Sequence, residues 1–513
     1  MRRHLLMVLV CVGCAERPIA DAITITNVSI VDGTGAPAYD GAVRFVGDSI
    51  VAAGPSVTPE PNDSVVNGNG LTLAPGFIDT HSHHAGGLLE TPEARAVVSQ
   101  GITTVIGGQD GSHPLPLAGR LDSLTATPPA VNVAFYVGHG TLREAVMGDD
   151  FKRAATTAEV DSMSALLRAE LAAGALGLST GLEYDPGIYS ERSEVMALAK
   201  VTAALGGRYI SHIRSEDRTF WQAIDEIITI GREAKLPVQI SHIKLGMIPL
   251  WGQADSLLRL LDAARASGVD VTADVYPYTY WQSTLTVLYP NRDFENRVET
   301  ERILREIAKP EGLLLGAYAP NPEYAGKTVA EIAVLRKESP SQTLMTLIRD
   351  ANAMRAKRRA SGEGGGAVEN VIATGMDEAD IKKLLAWEHA NVCSDGALNG
   401  AHPRGYGAFT RVLAKFVRTD SVLTLEAAVR KMTSLAAEHT GLVRRGRIAP
   451  GYYADLTLFD PATVQDRATP KEPHLTSLGV AQVWVNGRTA WRDTSTTDER
   501  PWRVLRRLGM SAP

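Results

Sequence analysis

Two histidines, His81 and His83, stand two residues apart at the end of a short apolar run of the chain. If that run is a β-strand, its alternate side chains face the same way, so both imidazoles could reach one metal ion. Three more residues of ligand-forming type end later apolar runs: His212, His242 and Asp395. Imidazole nitrogen and carboxylate oxygen are donors that zinc accepts readily. The pattern therefore predicts a site for a divalent metal ion.

The apolar runs that carry these residues alternate with amphipathic stretches of helical periodicity. Eight runs have this character: 77–79, 104–106, 131–137, 176–179, 209–210, 238–240, 271–273 and 391–393. Continuously apolar strands that alternate with helices predict an α/β fold with a parallel sheet, and eight of them fit a closed (β/α)8 barrel of the TIM type. Residues just beyond the carboxyl ends of barrel strands converge on one site, and the candidate ligands stand there. A doubly wound open sheet is the structural alternative.

The two ends of the chain have a different pattern. Segments 23–31 and 42–52 alternate apolar and polar residues, and similar segments return at 454–460 and 483–487. This predicts a small β-sandwich domain built from both termini, residues 21–72 and 441–495, around a barrel at 73–440. The stretch 283–369 is longer than one crossover helix requires, which predicts an inserted lid subdomain. An exposed insertion without a role is the alternative.

Composition limits the partners and the location. The net charge of -6 comes without a basic stripe, which argues against nucleic acid as a partner. Residues 1–20 combine a basic start with an apolar run at 5–13, the layout of a secretory signal. Gly13-Cys14 resembles the lipidation site of bacterial lipoproteins, although Cys11 stands where leucine is usual. We expect a bacterial protein that is exported to the periplasm or anchored to a membrane through lipidated Cys14, with plain export or a disordered start as the alternatives. The sequence does not indicate an oligomeric state.

Several segments together resemble a known family. They are 75–83 (Pro-Gly-Phe-Ile-Asp-Thr-His-Ser-His), 101–105 (Gly-Ile-Thr-Thr-Val), 178–182 (Leu-Ser-Thr-Gly-Leu), 211–214 (Ser-His-Ile-Arg), 274–278 (Asp-Val-Tyr-Pro-Tyr) and 402–405 (His-Pro-Arg-Gly). The first resembles the signature of the amidohydrolase superfamily, and the set resembles the N-acyl-D-amino-acid deacylases, or D-aminoacylases. The likeness runs from about residue 22 to 495.

The resemblance implies one or two divalent metal ions, with Zn²⁺ as the first candidate. His81, His83 and Asp395 would bind one ion, and His212 and His242 would bind the more tightly held one. Asp395 would also act as the general base that takes a proton from water and returns it, as a general acid, to the leaving nitrogen. The implied activity is hydrolysis of an amide bond by a metal-activated water.

The sequence departs from the family at one ligand. The family places a metal-binding Cys after the second strand, whereas the matching turn here is Gly108-Gln109-Asp110-Gly111. A carboxylate at Asp110 would be a harder ligand, which makes Mn²⁺ or another hard metal more plausible beside zinc. Glu183 is a second candidate for a bridging carboxylate. The alternatives are that Asp110 only stabilises its turn and that Glu183 lies outside the ligand set.

The resemblance also suggests residues that bind substrate. Lys244 would bind a free carboxylate, and Tyr184, Arg214 and Tyr278 are further candidates, with structural ion pairs or core hydroxyls as the alternative readings. The expected substrates are N-acyl-D-amino acids or D-configured dipeptides. Alternatives are an L-specific hydrolase, a cyclic amidase similar to hydantoinase or dihydroorotase, and a catalytically inactive interaction protein. The cyclic amidases use a carboxylated Lys after the fourth strand, and residues 180–188 contain no Lys.

Overall fold

The computed structural model describes residues 21–362 and 368–507. The predicted leader with Cys14 lies outside these residues. The first strands are β1 (Ala22–Ile30), β2 (Tyr39–Val46), β3 (Ser49–Gly54), β4 (Ser64–Asn67) and β5 (Thr72–Pro75). The alternating α/β part follows with β6 (Phe77–Asp79), α1 (Arg95–Val98), β7 (Ile102–Gly107), α2 (Leu117–Ala126), β8 (Asn132–Phe135), β9 (Val137–Gly138), α3 (His139–Met147), α4 (Thr157–Ala172), β10 (Gly177–Gly181), α5 (Arg192–Ala204), β11 (Arg208–His212), α6 (Phe220–Ala234), β12 (Val238–Ile240), α7 (Ala254–Ala266) and β13 (Val271–Val275).

The remaining strands and α-helices follow β13. They are β14 (Tyr280–Ser283), α8 (Arg297–Glu306), β15 (Leu313–Tyr318), α9 (Val329–Arg336), α10 (Pro340–Ala360), β16 (Glu369–Thr374), α11 (Glu378–Ala386), β17 (Ala390–Val392), α12 (Arg404–Arg411), α13 (Leu425–Met432), α14 (Ser434–Thr440), β18 (Leu456–Phe459), β19 (Val480–Val485), β20 (Arg488–Arg492) and β21 (Ser495–Thr496). Among the described helices, none has the length and apolar character needed to cross a membrane.

Each of the eight predicted apolar runs overlaps a strand, and these strands form two parallel sheets. One sheet has the order β6-β7-β8, and the other has the order β17-β13-β12-β11-β10-β9. The sheets meet on one side because β8 and β9 are separated by one residue, Tyr136. On the other side, the Asp395 N–H donates to the His81 carbonyl at 2.9 Å, and the His83 N–H donates to the Gly396 carbonyl at 2.8 Å. The carboxyl ends of β6 and β17 therefore lie side by side.

The strands from the two ends of the chain form one sheet with the order β21-β20-β19-β18-β5-β1-β2-β3, and β4 also pairs with β1. Its centre is the antiparallel pairing of β5 with β18. β5 ends at Pro75, three residues beyond the predicted limit of the first β segment. The structure thus joins the two ends of the chain in a continuous sheet, and the two-layered sandwich stays a prediction.

The long stretch between β13 and β17 has a structure of its own. β14, β16 and β15 form an antiparallel sheet in that order, accompanied by α8, α9 and α10. A capping box stabilises the start of α9: Thr328 accepts from the Glu331 N–H, and the Glu331 carboxylate accepts from the Thr328 N–H. This sheet begins at Tyr280 and ends at Thr374, so it extends beyond the predicted limits 283–369 on both sides.

Candidate metal centre

The predicted ligands lie together at the carboxyl ends of the parallel strands. Three of them occupy left-handed backbone positions that side chains rarely adopt: Asp110 has φ 53°, His242 has φ 36° and Asp395 has φ 50°. Such conformations cost free energy and are retained where the surrounding structure aims a side chain at a functional site. The turn before Asp110 requires glycine, since a Cβ on Gly108 would lie 2.0 Å from the Tyr136 carbonyl oxygen.

His81, His83, Asp110 and Asp395 form the first group of potential ligand atoms. The Nε2 atom of His83 lies 3.2 Å from Asp110 Oδ2 and 3.3 Å from Asp395 Oδ1. The Nε2 atom of His81 lies 3.3 Å and 3.7 Å from the same two oxygens. Two imidazole nitrogens and two carboxylate oxygens that face one point are a donor set suited to a four-coordinate divalent cation.

Asp110, His212 and His242 form the second group. His212 Nδ1 lies 3.0 Å from His242 Nε2, and His242 Nε2 lies 3.5 Å from Asp110 Oδ1. Burial and the Lys244 ammonium lower the pKa of His242, but the carboxylates of Glu216, Asp395 and Asp110 more than offset them and raise it to about 10. This imidazole therefore sits in surroundings that favour positive charge, which a metal cation would supply.

Glu183 does not lie between the two groups. Its Oε2 atom is 3.0 Å from His212 Nε2, the ring nitrogen that faces away from His242. Glu216 has a similar relation to His242, with its Oε1 atom 3.0 Å from His242 Nδ1. Carboxylates at the far nitrogen of a metal-binding imidazole fix the ring orientation and raise its basicity. Glu183, His212 and Glu216 also form a third group of potential ligand atoms.

Lys244 and Tyr184 are brought to the same place. Lys244 Nζ donates to Glu216 Oε1 at 2.5 Å and contacts His242 Nδ1 at 2.7 Å. The ring centroid of Tyr184 lies 4.3 Å from that of His212. Both side chains line a cavity that also contains Asp395. The structure thus places two of the four predicted substrate-binding residues beside the metal ligands.

Arg214 and Tyr278 are not brought to this cavity. Arg214 forms two hydrogen bonds with Glu226 on α6, at 2.8 Å and 2.9 Å. This candidate for substrate binding lies elsewhere because β11 ends at His212, and the alternation of side chains along a strand does not continue past its end. Tyr278 is buried beneath the guanidinium of Arg411, 4.8 Å from its ring centroid.

Three charged residues of the cavity lining, Glu216, Asp217 and Arg404, were not predicted as site residues. Glu216 follows β11, and Arg404 begins α12 and lies 2.6 Å from Asp395 Oδ2. Although burial raises the pKa of Asp395, Arg404 and the neighbouring imidazoles hold it well below its usual range. Asp395 is therefore a carboxylate at neutral pH. The signal for Glu216 was a charged side chain in a loop after a strand, whereas Arg404 belongs to the 402–405 motif.

The chain was compared with known proteins. It matches the model described as "Amidohydrolase family" over residues 64–490. N-acyl-D-glutamate deacylase from Alcaligenes xylosoxydans xylosoxydans is 37% identical over 502 residues, which cover 93% of this chain and 95% of that protein. The crystal structure of D-aminoacylase is 34% identical, with a TM-score of 0.82 over 96% of this chain and 100% of that chain.

A third relative was solved with ligands. It is N-acyl-D-glutamate deacylase from Bordetella bronchiseptica, complexed with zinc and a phosphonate inhibitor that mimics the tetrahedral intermediate of the reaction. It is 34% identical to this chain, with a TM-score of 0.83 over 95% of this chain and 100% of that chain. These matches span nearly the whole described fold and confirm the family resemblance. The chain belongs to the amidohydrolase family, and within it to the N-acyl-D-amino-acid deacylases.

Proposed function

We propose that the protein hydrolyses the amide bond of N-acyl-D-amino acids, or of D-configured dipeptides that present the same amide and carboxylate. One observation carries the proposal: members of both groups of metal ligands, Asp395 of the first and His212 and His242 of the second, line the same cavity as a buried ammonium, Lys244. The names of the relatives support it, since they are deacylases of N-acyl-D-glutamate and a D-aminoacylase. We further propose that the two parallel sheets close as a (β/α)8 barrel and that residues 283–369 form its lid.

The donor set fits a divalent cation because Asp110 Oδ1 is buried without a hydrogen-bond partner among the described residues. His81, His83 and Asp395 would hold one ion, and His212 and His242 would hold another. Zn²⁺ or a harder ion such as Mn²⁺ would supply a Lewis acid that activates water and polarises the amide carbonyl.

The residues of the chain supply the proton transfer and the orientation. Asp395 Oδ1 faces the histidines, and Arg404 holds Oδ2, so one oxygen remains available to accept a proton from the attacking water. As the C–O bond forms and the C–N bond breaks, Asp395 returns this proton to the leaving nitrogen. Lys244 binds the carboxylate of the substrate by a charge-assisted hydrogen bond, which places the amide beside Asp395.

The test is metal analysis of the purified protein together with a screen of N-acetyl-D- against N-acetyl-L-amino acids and of hydantoin. We expect bound metal and turnover of the D-series. Asp395→Asn should retain much of the metal and lose turnover by orders of magnitude, whereas Asp225→Asn, on the exposed surface of α6, should match the unaltered protein. Turnover of only the L-series or only hydantoin would overturn the proposal.

We also propose that residues 1–20 direct export and that Cys14 anchors the mature protein to a membrane. The basic start, the apolar run and Gly13-Cys14 support this. Mass analysis of the protein from a bacterial membrane fraction tests it. We expect an acylated N-terminal Cys14, and the acylation should be absent in Cys14→Ser. An unacylated protein would contradict the membrane anchor. Export would then be tested separately, by recovery of the protein from the periplasm.

A further inference from the structure

We infer that the Asp110 carboxylate bridges two divalent cations and gives the centre a set of nitrogen and oxygen donors that accepts Mn²⁺ as well as Zn²⁺. The inference rests on the metal site of the proposed function, and it is independent of the substrate. It concerns the one residue whose carboxylate belongs to both the first and the second group of ligand atoms.

The two oxygens of Asp110 face different groups. Oδ2 lies 3.2 Å from His83 Nε2 and 3.3 Å from His81 Nε2. Oδ1 points to the other side, 3.5 Å from His242 Nε2. A carboxylate that presents one oxygen to each of two neighbouring groups of ligands has the geometry of a bridge.

The oxygen on the second side lacks a partner. Asp110 Oδ1 is buried and accepts no hydrogen bond from the described residues, and 3.5 Å to His242 Nε2 is too long for a good one. Burying an ionised oxygen without compensation is costly. A cation held by His212, His242 and Asp110 Oδ1 would remove that cost. It would also separate the two imidazole nitrogens that now face each other at 3.0 Å.

The turn does not need this carboxylate for its own stability. The Gly111 N–H donates to Ser179 Oγ at 3.1 Å, and the Ser112 N–H donates to the Gln109 carbonyl at 3.1 Å. If Asp110 stabilised its own turn, its carboxylate would accept a hydrogen bond from one of these two backbone N–H groups. The left-handed conformation of Asp110 instead aims the side chain at the histidines, so we reject the reading in which Asp110 only stabilises the turn.

Glu183 is a poor alternative for the bridge. It contacts the far nitrogen of His212, and its Oε1 atom accepts from the Glu216 N–H at 3.4 Å. Both of its oxygens thus contact residues other than His81 and His83, and Glu183 shares no group of ligand atoms with these two histidines. Asp110 adds a carboxylate oxygen at a position where a thiolate would favour zinc. The carboxylate therefore raises the affinity of the centre for hard divalent ions relative to its affinity for zinc.

The test uses the full-length protein, stripped of metal and reloaded with Mn²⁺, without any substrate. Manganese content is measured by elemental analysis, and coupling between two ions is measured by electron paramagnetic resonance. We expect two Mn²⁺ per chain with an exchange-coupled spectrum, which Asp110→Ala reduces to an uncoupled signal with fewer bound ions. Glu183→Gln is the matched control. It should weaken affinity by roughly 10- to 100-fold but keep the coupled spectrum at saturating Mn²⁺.

A second variant guards against a folding defect. Asp110→Cys should load Co²⁺ with a new thiolate-to-cobalt charge-transfer band and should bind Zn²⁺ in preference to Mn²⁺ in competition. Any one of three results would overturn the inference. The coupled spectrum could survive in Asp110→Ala, or it could be lost in Glu183→Gln at saturating Mn²⁺. The third such result is a Co²⁺-loaded Asp110→Cys that lacks the charge-transfer band. Because none of these readouts needs turnover, a failed deacylase screen would leave the result intact.

Discussion

Lys244→Met should selectively impair the hydrolysis of substrates that carry a free carboxylate. The ammonium is buried, lines the cavity with Asp395 and lies 2.5 Å from Glu216 Oε1. A hydrogen bond to a charged partner contributes about 1.5–3 kcal/mol, and each 1.36 kcal/mol is a factor of ten. We therefore expect kcat/KM for an N-acetyl-D-amino acid to fall about 10- to 150-fold, mainly through KM because the carboxylate is bound throughout the reaction.

The decisive comparison uses the same substrate with its carboxylate replaced by a primary amide. The amide should be a poor substrate of the unaltered protein, and its kcat/KM should change little in Lys244→Met. Rates follow from the amine released, and Lys383→Met, which alters an exposed ion pair with Asp255, is the control. If both substrates lose the same factor and metal content falls, Lys244 acts through His242 and Glu216, and the reasoning is refuted.

Three further predictions concern stability and specificity. Glu194→Ala leaves the buried guanidinium of Arg143 without its carboxylate, which should lower the free energy of unfolding by about 3–5 kcal/mol in urea titrations; a loss below about 1 kcal/mol would contradict this. Burial lowers the pKa of Lys431 from 10.5 to about 7, so between these values the unfolded chain binds the proton more tightly. Stability should therefore rise with pH across this window, and Lys431→Met should weaken that rise in thermal melts at pH 7 and pH 9. The cavity wall includes Trp281, Val287, Leu288 and Ile307, so N-acetyl-D-leucine should be hydrolysed faster than N-acetyl-D-glutamate. Val287→Arg should shift this preference toward glutamate, and a clear preference for glutamate in the unaltered protein would show that the wall does not receive the side chain.

The strands and the ligand positions could be predicted because both depend on short-range patterns. The run 238–240 is buried at every position because both faces of β12 are covered, and His242 lies two residues beyond the end of this strand. The rule that strand ends converge then brought His81, His212 and Asp395 together although they are distant in sequence. The substrate-side residues were less predictable, because beyond a strand end the side-chain direction depends on the local turn.

The role of Asp110 shows the limit most clearly. An Asp-Gly pair is the same turn signal whether the carboxylate accepts an amide of its own turn or reaches across to a neighbouring strand end. The difference depends on Ser179, which takes the Gly111 N–H and leaves the carboxylate free. Glu216 was missed for a related reason, because it follows β11 whereas its partner His242 follows β12.

The pairing of β5 with β18 has a consequence for biosynthesis. β1, β2 and β3 are neighbours in sequence and can pair as soon as they leave the ribosome. β5 can join β1 early, but its other edge must wait for β18 until the whole α/β part has been translated. Until then, the edge of β5 is an unpaired row of backbone groups in a strand that is fully buried in the finished protein. A chain interrupted before Leu456 keeps that edge open, so premature termination should yield aggregates rather than a shorter soluble protein.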